Sequence, residues 1–281
     1  MEKRCVMLSR DLFLLLSNSK YMGQSTCDMM AKESLLSYIK SDKCTYKEEK
    51  KQELLELIGN RDQLEDYYRL MKSKDVELIK LTTDGIYRPP SYVYKLGNGS
   101  LDPKGVAVIG SRNCTPYGKK VAYEISYALA SQNINVVSGL AYGIDYMAHK
   151  GACDASGPTT AIMGSGILNC YPQMHQKMYK RIMQEGLVLS EYGFHGKPLK
   201  HHFPFRNRLI AGLSKVIVVV EAKERSGTMI TVQCGLDQGK SVVAVPGSVH
   251  SPLSAGTHRL IQSGAKLYTI IDDIIDELNY F

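Results

Sequence analysis

From Lys104 onward the chain alternates short, unbroken apolar runs with amphipathic stretches. The runs GVAVIG, INVVSG, TTAIMG, LVLSEY, KVIVVVEA and SVVAVP, with a weaker AKLYT near the end, predict strands. Val- and Ile-rich runs without polar alternation suit strands buried on both faces, as in a parallel sheet covered by helices. Helices are expected near 117–131, 143–155, 174–185, 204–212, 227–238, 255–263 and 270–278. The implied fold is α/β: an open, mostly parallel sheet with helices on both faces, occupying 104–281. Earlier in the chain the period changes. SLLSYIK, KKQELLELI and DQLEDYYRLMK space apolar residues by three and four with no β-rich run, which predicts a small helical domain over 1–81. Residues 82–103 collect Gly, Pro, Asn and Asp around one candidate short strand, SYVYKL, and read as a connector.

Sheets of this kind bind ligands beyond the carboxyl ends of their strands, and the informative residues fall there. Gly110, Ser111 and Arg112 follow the first strand, where a glycine turn entering a helix aims N–H groups at an anion. Lys223, Arg225, Ser226 and Gly227 follow KVIVVVEA in the same way. In HFPFRNRLIAGLS, Arg206, Asn207 and Arg208 adjoin Phe203 and Phe205, a combination suited to a phosphate backbone and its bases. Each feature also has a plainer structural reading. GSR is a common strand-ending turn, Ser226 or Thr228 serves as a plain helix N-cap, and phenylalanines at a sheet edge are usually core. Lys200, His201 and His202 form a basic lead-in that reads as a solvated loop. Asp145 and His149, in the helix after SGLAYG, are read as structural, with Asp145 complementing the helix dipole.

Neither GxxxxGK[ST] nor GxGxxG is present, which disfavours an ATPase or a typical dehydrogenase. No cofactor is expected, and no third ligand at matching spacing supports a metal site. The net charge of +7 and a pI near 8.9 fit a polyanion partner without deciding for one. Seven scattered cysteines, an odd number without a CxxC pair, indicate reduced thiols. With no apolar run near the roughly 20 residues of a membrane helix and no clear signal peptide, a cytoplasmic location is expected.

GVAVIGSR, NVVSGLAYGIDYMAH, FPFRNRLIAGLS, VVVEAKERSGTMIT, VVAVPGS and GTHRLIQSGAK occur in this order, and over about 85–281 the chain resembles the DNA-processing protein A (DprA/Smf) family. The resemblance implies an extended Rossmann-like domain that binds single-stranded DNA without catalysis. It also implies a homodimer that protects incoming strands in natural transformation and helps load the RecA recombinase onto them. The N-terminal region is similar in size and character to the sterile-alpha-motif-like domain of some members, and no winged-helix domain is expected after the last helix. By position, the family's GSR arginine falls on Arg112 and its FPxRNR motif on Phe203 through Arg208. Members often carry a lysine soon after the proline of a YP segment; Gln173 and Gln176 stand there instead, leaving Lys177 or Lys180 as replacement. The family's dimer and recombinase surface maps around His258, Ile261 and Leu267. The main rival is a phosphoribohydrolase similar to the LOG family, with Glu191, Asp145 or Glu221 as acid or base and a nucleotide phosphate at the Ser226 turn. Its PGGxGT signature is absent, and SGTMIT is a partial echo. A third reading is an interaction scaffold with solvated cations.

Overall fold

A computed structural model describes residues 9–19, 39, 44–81, 86, 89–101 and 105–280. Helices α1 (Ser9–Ser17), α2 (Glu48–Gly59) and α3 (Arg61–Lys74) precede strands β1 (Val76–Ile79) and β2 (Val93–Leu96). The α/β part then runs β3 (Gly105–Ile109), α4 (Pro116–Ser131), β4 (Val136–Ser138), α5 (Ile144–Asp154), β5 (Thr159–Met163), α6 (Gln176–Glu185) and β6 (Leu187–Ser190). It continues with α7 (His202–Gly212), β7 (Ser214–Val219), α8 (Gly227–Leu236), β8 (Ser241–Ala244), α9 (Ala255–Gln262), β9 (Lys266–Leu267) and α10 (Asp272–Asn279). All seven strands expected after Lys104 are present, and the expected helices accompany them.

One nine-stranded sheet forms, in the order β1-β2-β6-β5-β4-β3-β7-β8-β9. From β6 to β9 neighbouring strands are parallel, whereas β1 and β2 pair antiparallel at one edge. Every residue of β3 is buried, and successive side chains enter opposite layers. Val106 and Val108 pack with Ile125 and Leu129 of α4 on one side, while Ala107 and Ile109 join Leu209 and Ile210 of α7 on the other. After β3 the chain winds outward through β4, β5 and β6, then returns to lay β7 against the other side of β3. The reversal opens a crevice between the ends of β3 and β7.

Two further strands join the sheet. β1 falls inside the stretch read as helical, whereas β2 lies within SYVYKL, the candidate short strand of the connector, and pairs with β6. Asp75 adopts a left-handed conformation (φ 54°) at the end of α3, which turns the chain into β1. β1 buries Val76 and Leu78 and exposes Glu77, the alternation of a half-covered edge strand. SLLSYIK lies outside the described residues apart from Ile39.

The N-terminal helices pack directly on this end of the sheet. Phe13 and Leu14 share one apolar cluster with Tyr94 and Phe194, and the Tyr94 ring lies 5.2 Å from that of Phe194. The buried Tyr94 hydroxyl bonds the Ser17 hydroxyl and accepts from Asn18 Nδ2 at 2.9 Å. Tyr94→Phe keeps the ring and strands these partners, so we expect a loss of about 1–3 kcal/mol. A lower urea midpoint with an unchanged m-value is the measurement that checks it.

Candidate nucleic-acid interface

The crevice between β3 and β7 is a cleft of about 790 Å³. Its floor begins at Gly110, where a Cβ would sit 2.6 Å from Ile144 and 2.9 Å from the Glu221 carbonyl oxygen. Only glycine lets the chain pass so close. The Ser111 N–H donates to the Glu221 carbonyl at 2.7 Å, tying the two strand ends together. That N–H is therefore spent, and the expectation that it serves an anion does not hold here. Arg112, the next residue, is exposed at the mouth, its guanidinium carbon 5.3 Å from the centroid of the Phe203 ring. This is a cation–π distance.

Helix α7 supplies one wall with Phe203, Pro204 and Asn207, and Lys200 stands just before it. Lys223, Ser226, Gly227 and Thr228 line the cleft at the start of α8. Ser226 occupies the N-cap position of α8, yet its side chain makes no capping bond and its Oγ has no partner. The plain N-cap expected there is not formed, and an uncapped helix N-terminus borders the cleft.

Arg206 and Arg208 are turned inward, each 3% exposed, where two phosphate-facing cations were expected. Arg206 Nη1 donates to the carbonyls of Gly139, at 3.0 Å, and Ile162. Burial pushes its guanidinium down to about 10, a shift opposed by nearby Asp145. Arg208 pairs with Glu191, equally buried, and lies 4.0 Å from the centroid of the Phe205 ring. Phe205 thus flanks a buried ion pair outside the cleft lining. Two residues apart on α7, the arginines leave the helix in different directions, and each is buried by its own partners: strand-end carbonyls for Arg206 and the Glu191 carboxylate for Arg208.

The family model for DNA recombination-mediator protein A matches residues 71–279. The chain belongs to this family. DNA processing protein DprA of Streptococcus pneumoniae is 44% identical over 197 residues, 69% of either protein. DprA of Bacillus subtilis is 40% identical over 195 residues, which span 69% of this chain and 66% of that protein. The X-ray structure of S. pneumoniae DprA matches with a TM-score of 0.70 at 32% identity, covering 97% of this chain and 94% of that one. A structure of DNA processing protein A from Helicobacter pylori, described for its single-stranded DNA binding mode, matches with a TM-score of 0.67 at 29% identity. It covers 73% of this chain and 96% of its own.

Within this member of the DprA family, the carboxylates that an enzyme reading needs are all engaged. Glu191 is held by Arg208, and burial raises its pKa against that cation's pull. Glu221 accepts from Thr115 N at 2.8 Å and from the Thr115 hydroxyl, fixing the start of α4. Asp145 lies in the cleft floor, accepting from Gly139 N at 3.2 Å and Ala141 N at 3.4 Å; burial raises its pKa while Arg206 opposes the rise. Arg225 and Lys177 are exposed outside the cleft lining. Tyr171 and Lys200 do line it and were not placed there from the sequence. Lys200 sits in the basic lead-in to α7, and Tyr171 is the tyrosine of the YP pair, so the signal was present in both.

His149 is fully buried beneath this floor. The Thr159 hydroxyl donates to the Val136 carbonyl, so His149 Nδ1 carries the proton that it donates to Thr159, and Nε2 has no partner. Burial, aided by Arg206 and His175, pushes its pKa from 6.5 down to about 3. The folded state therefore stays neutral while the unfolded chain takes up a proton below pH 6.5. Stability present above that pH is lost as pH falls toward 3, at up to about 1.4 kcal/mol per pH unit from this residue. Urea titrations of the wild type and His149→Asn between pH 4 and 7 check this: the variant's slope should be smaller by about one proton.

Proposed function

We propose that this chain is a single-stranded-DNA-binding recombination mediator that holds the strand in the β3–β7 cleft. The cleft carries the reading. It joins exposed Arg112 and Lys223, with Lys200, to an uncapped helix N-terminus and two aromatic rings, on a chain of the recombination-mediator family. Cations and free N–H groups take phosphates of any sequence, and rings take bases of any identity. A duplex hides its bases from such a site. Gly110, Ser111 and Gly227 shape the turns, Asn207 borders the path, and exposed Arg225 and Lys177 extend the basic track. Arg206 and Arg208 act indirectly, by holding the walls.

The same reading extends to a cytoplasmic role in natural transformation: protection of incoming strands and loading of RecA. A homodimer through the β9 edge fits the same reading. β9 ends the sheet, and its Leu267 is 41% exposed. On α9, His258 bonds the Gly247 carbonyl at 3.0 Å and Ile261 packs half-buried against the core, so Leu267 is the cleaner probe. An isologous contact there puts two clefts on one particle.

Titration with single- and double-stranded oligonucleotides at two salt concentrations tests the binding. We expect a preference for single strands; equal affinity for duplex would overturn the reading. Arg112→Glu should weaken binding to all sequences alike and reduce the slope of log K against log salt by about 0.7 per lost phosphate contact. Sedimentation tests the dimer: Leu267→Glu should yield a folded monomer that holds long strands less tightly. A wild type that sediments as a monomer at micromolar concentration would remove the interface.

A further inference from the structure

We propose that Tyr171 is the base-stacking platform of the cleft, an inference that rests on single-stranded DNA binding there. Two aromatic side chains line the cleft, and they differ in what already covers them. Phe203 is half-buried and pressed onto the backbone of Gly164, where a Cβ would come 2.8 Å from its ring. The Arg112 guanidinium carbon stands 5.3 Å from its centroid, and the Tyr171 ring packs at 5.6 Å with an interplanar angle of 48°. Little of Phe203 is left for a base. Tyr171 leans on that fixed ring and remains 41% exposed. It thus combines a supported ring with an open surface, in a cleft that Arg112 and Lys200 also line.

A base stacked on Tyr171 keeps its phosphates within a cationic surround, and the contact is blind to base identity because every base has a π-face. Phe203 then acts as a positioning residue that sets the tilt of Tyr171.

The chain contains no tryptophan, so Tyr171→Trp installs a single reporter at the platform. Its emission should be quenched when a thymine oligonucleotide binds, and should stay unchanged with an abasic oligonucleotide of equal length. Tyr171→Ala should weaken binding of the thymine oligonucleotide by roughly 5- to 150-fold. Affinity for the abasic strand should be unaltered, and Tyr171→Phe should restore tight binding to thymine. Anisotropy of a labelled strand reports occupancy independently of stacking. Normal occupancy with unquenched tryptophan and an unaffected Tyr171→Ala variant would overturn the platform alone. Absence of any strand binding by the wild type would overturn the DNA-binding reading and the platform together.

Discussion

The cleft depends on one cross-tie, the Arg206 guanidinium. It reaches from α7 under the sheet ends to the carbonyls of Gly139, after β4, and Ile162, in β5. A cation buried without partners is untenable, so its retention requires these acceptors and the nearby Asp145 carboxylate. Asp145 accepts in turn from the N–H groups of Gly139 and Ala141, so α7, the strand ends and the 139–141 turn form one polar unit. A Cβ at Gly139 would lie 2.5 Å from the guanidinium, so glycine is required for the close approach. Phe203 is three residues earlier on the same helix. Its placement in the cleft is inherited from the anchor below it.

Arginines of identical intrinsic chemistry therefore do different work according to what surrounds them. Arg206 and Arg208 meet carbonyls and a carboxylate in the interior, where each hydrogen bond is strong and each loss costly. Arg112 meets solvent and a ring, so its charge remains available to a mobile polyanion. The two roles are complementary. Exposed cations give salt-sensitive attraction, and buried ones give the fixed geometry in which that attraction is useful.

This division explains what could be read from the sequence. The strands from β3 to β8 were legible because burial on both faces leaves continuous Val and Ile runs, and the cleft's place followed from the rule for parallel sheets. β1 was hidden, four residues with one face half-covered directly behind a helix, while β2 showed as a short strand behind a proline pair without the pairing that places it in the sheet. The inward turn of Arg206 left no local mark, because its acceptors lie 67 and 44 residues away. Arginine's residue type carries no burial signal when the partners are backbone carbonyls. Tyr171 stands in a YP pair that the sequence displays, but its packing against Phe203 exists only once the fold brings the two together.

The N-terminal helices belong to the same mechanical system. At the end of α1, the Ser17 carbonyl accepts from Gly193 N at 3.1 Å, and the Asn18 side chain accepts from Phe194 N at 2.7 Å. The Phe194 carbonyl accepts from Leu168 N at 2.8 Å, while Gly196 accepts from Gly166 N at 2.8 Å and from the Asn169 amide at 3.0 Å. Residues 166–169 therefore hang on the 193–196 segment, which itself hangs on α1. Tyr171 is two residues beyond Asn169. Bonds of this kind contribute modestly one at a time but hold a loop in place when they act together, since each reduces the freedom left to the next. The helical region is thus joined by hydrogen bonds to the loop that leads to Tyr171, and that loop is also held from its other side by the Ser165 hydroxyl on the Asn169 carbonyl and the Tyr179 hydroxyl on the Ile167 carbonyl.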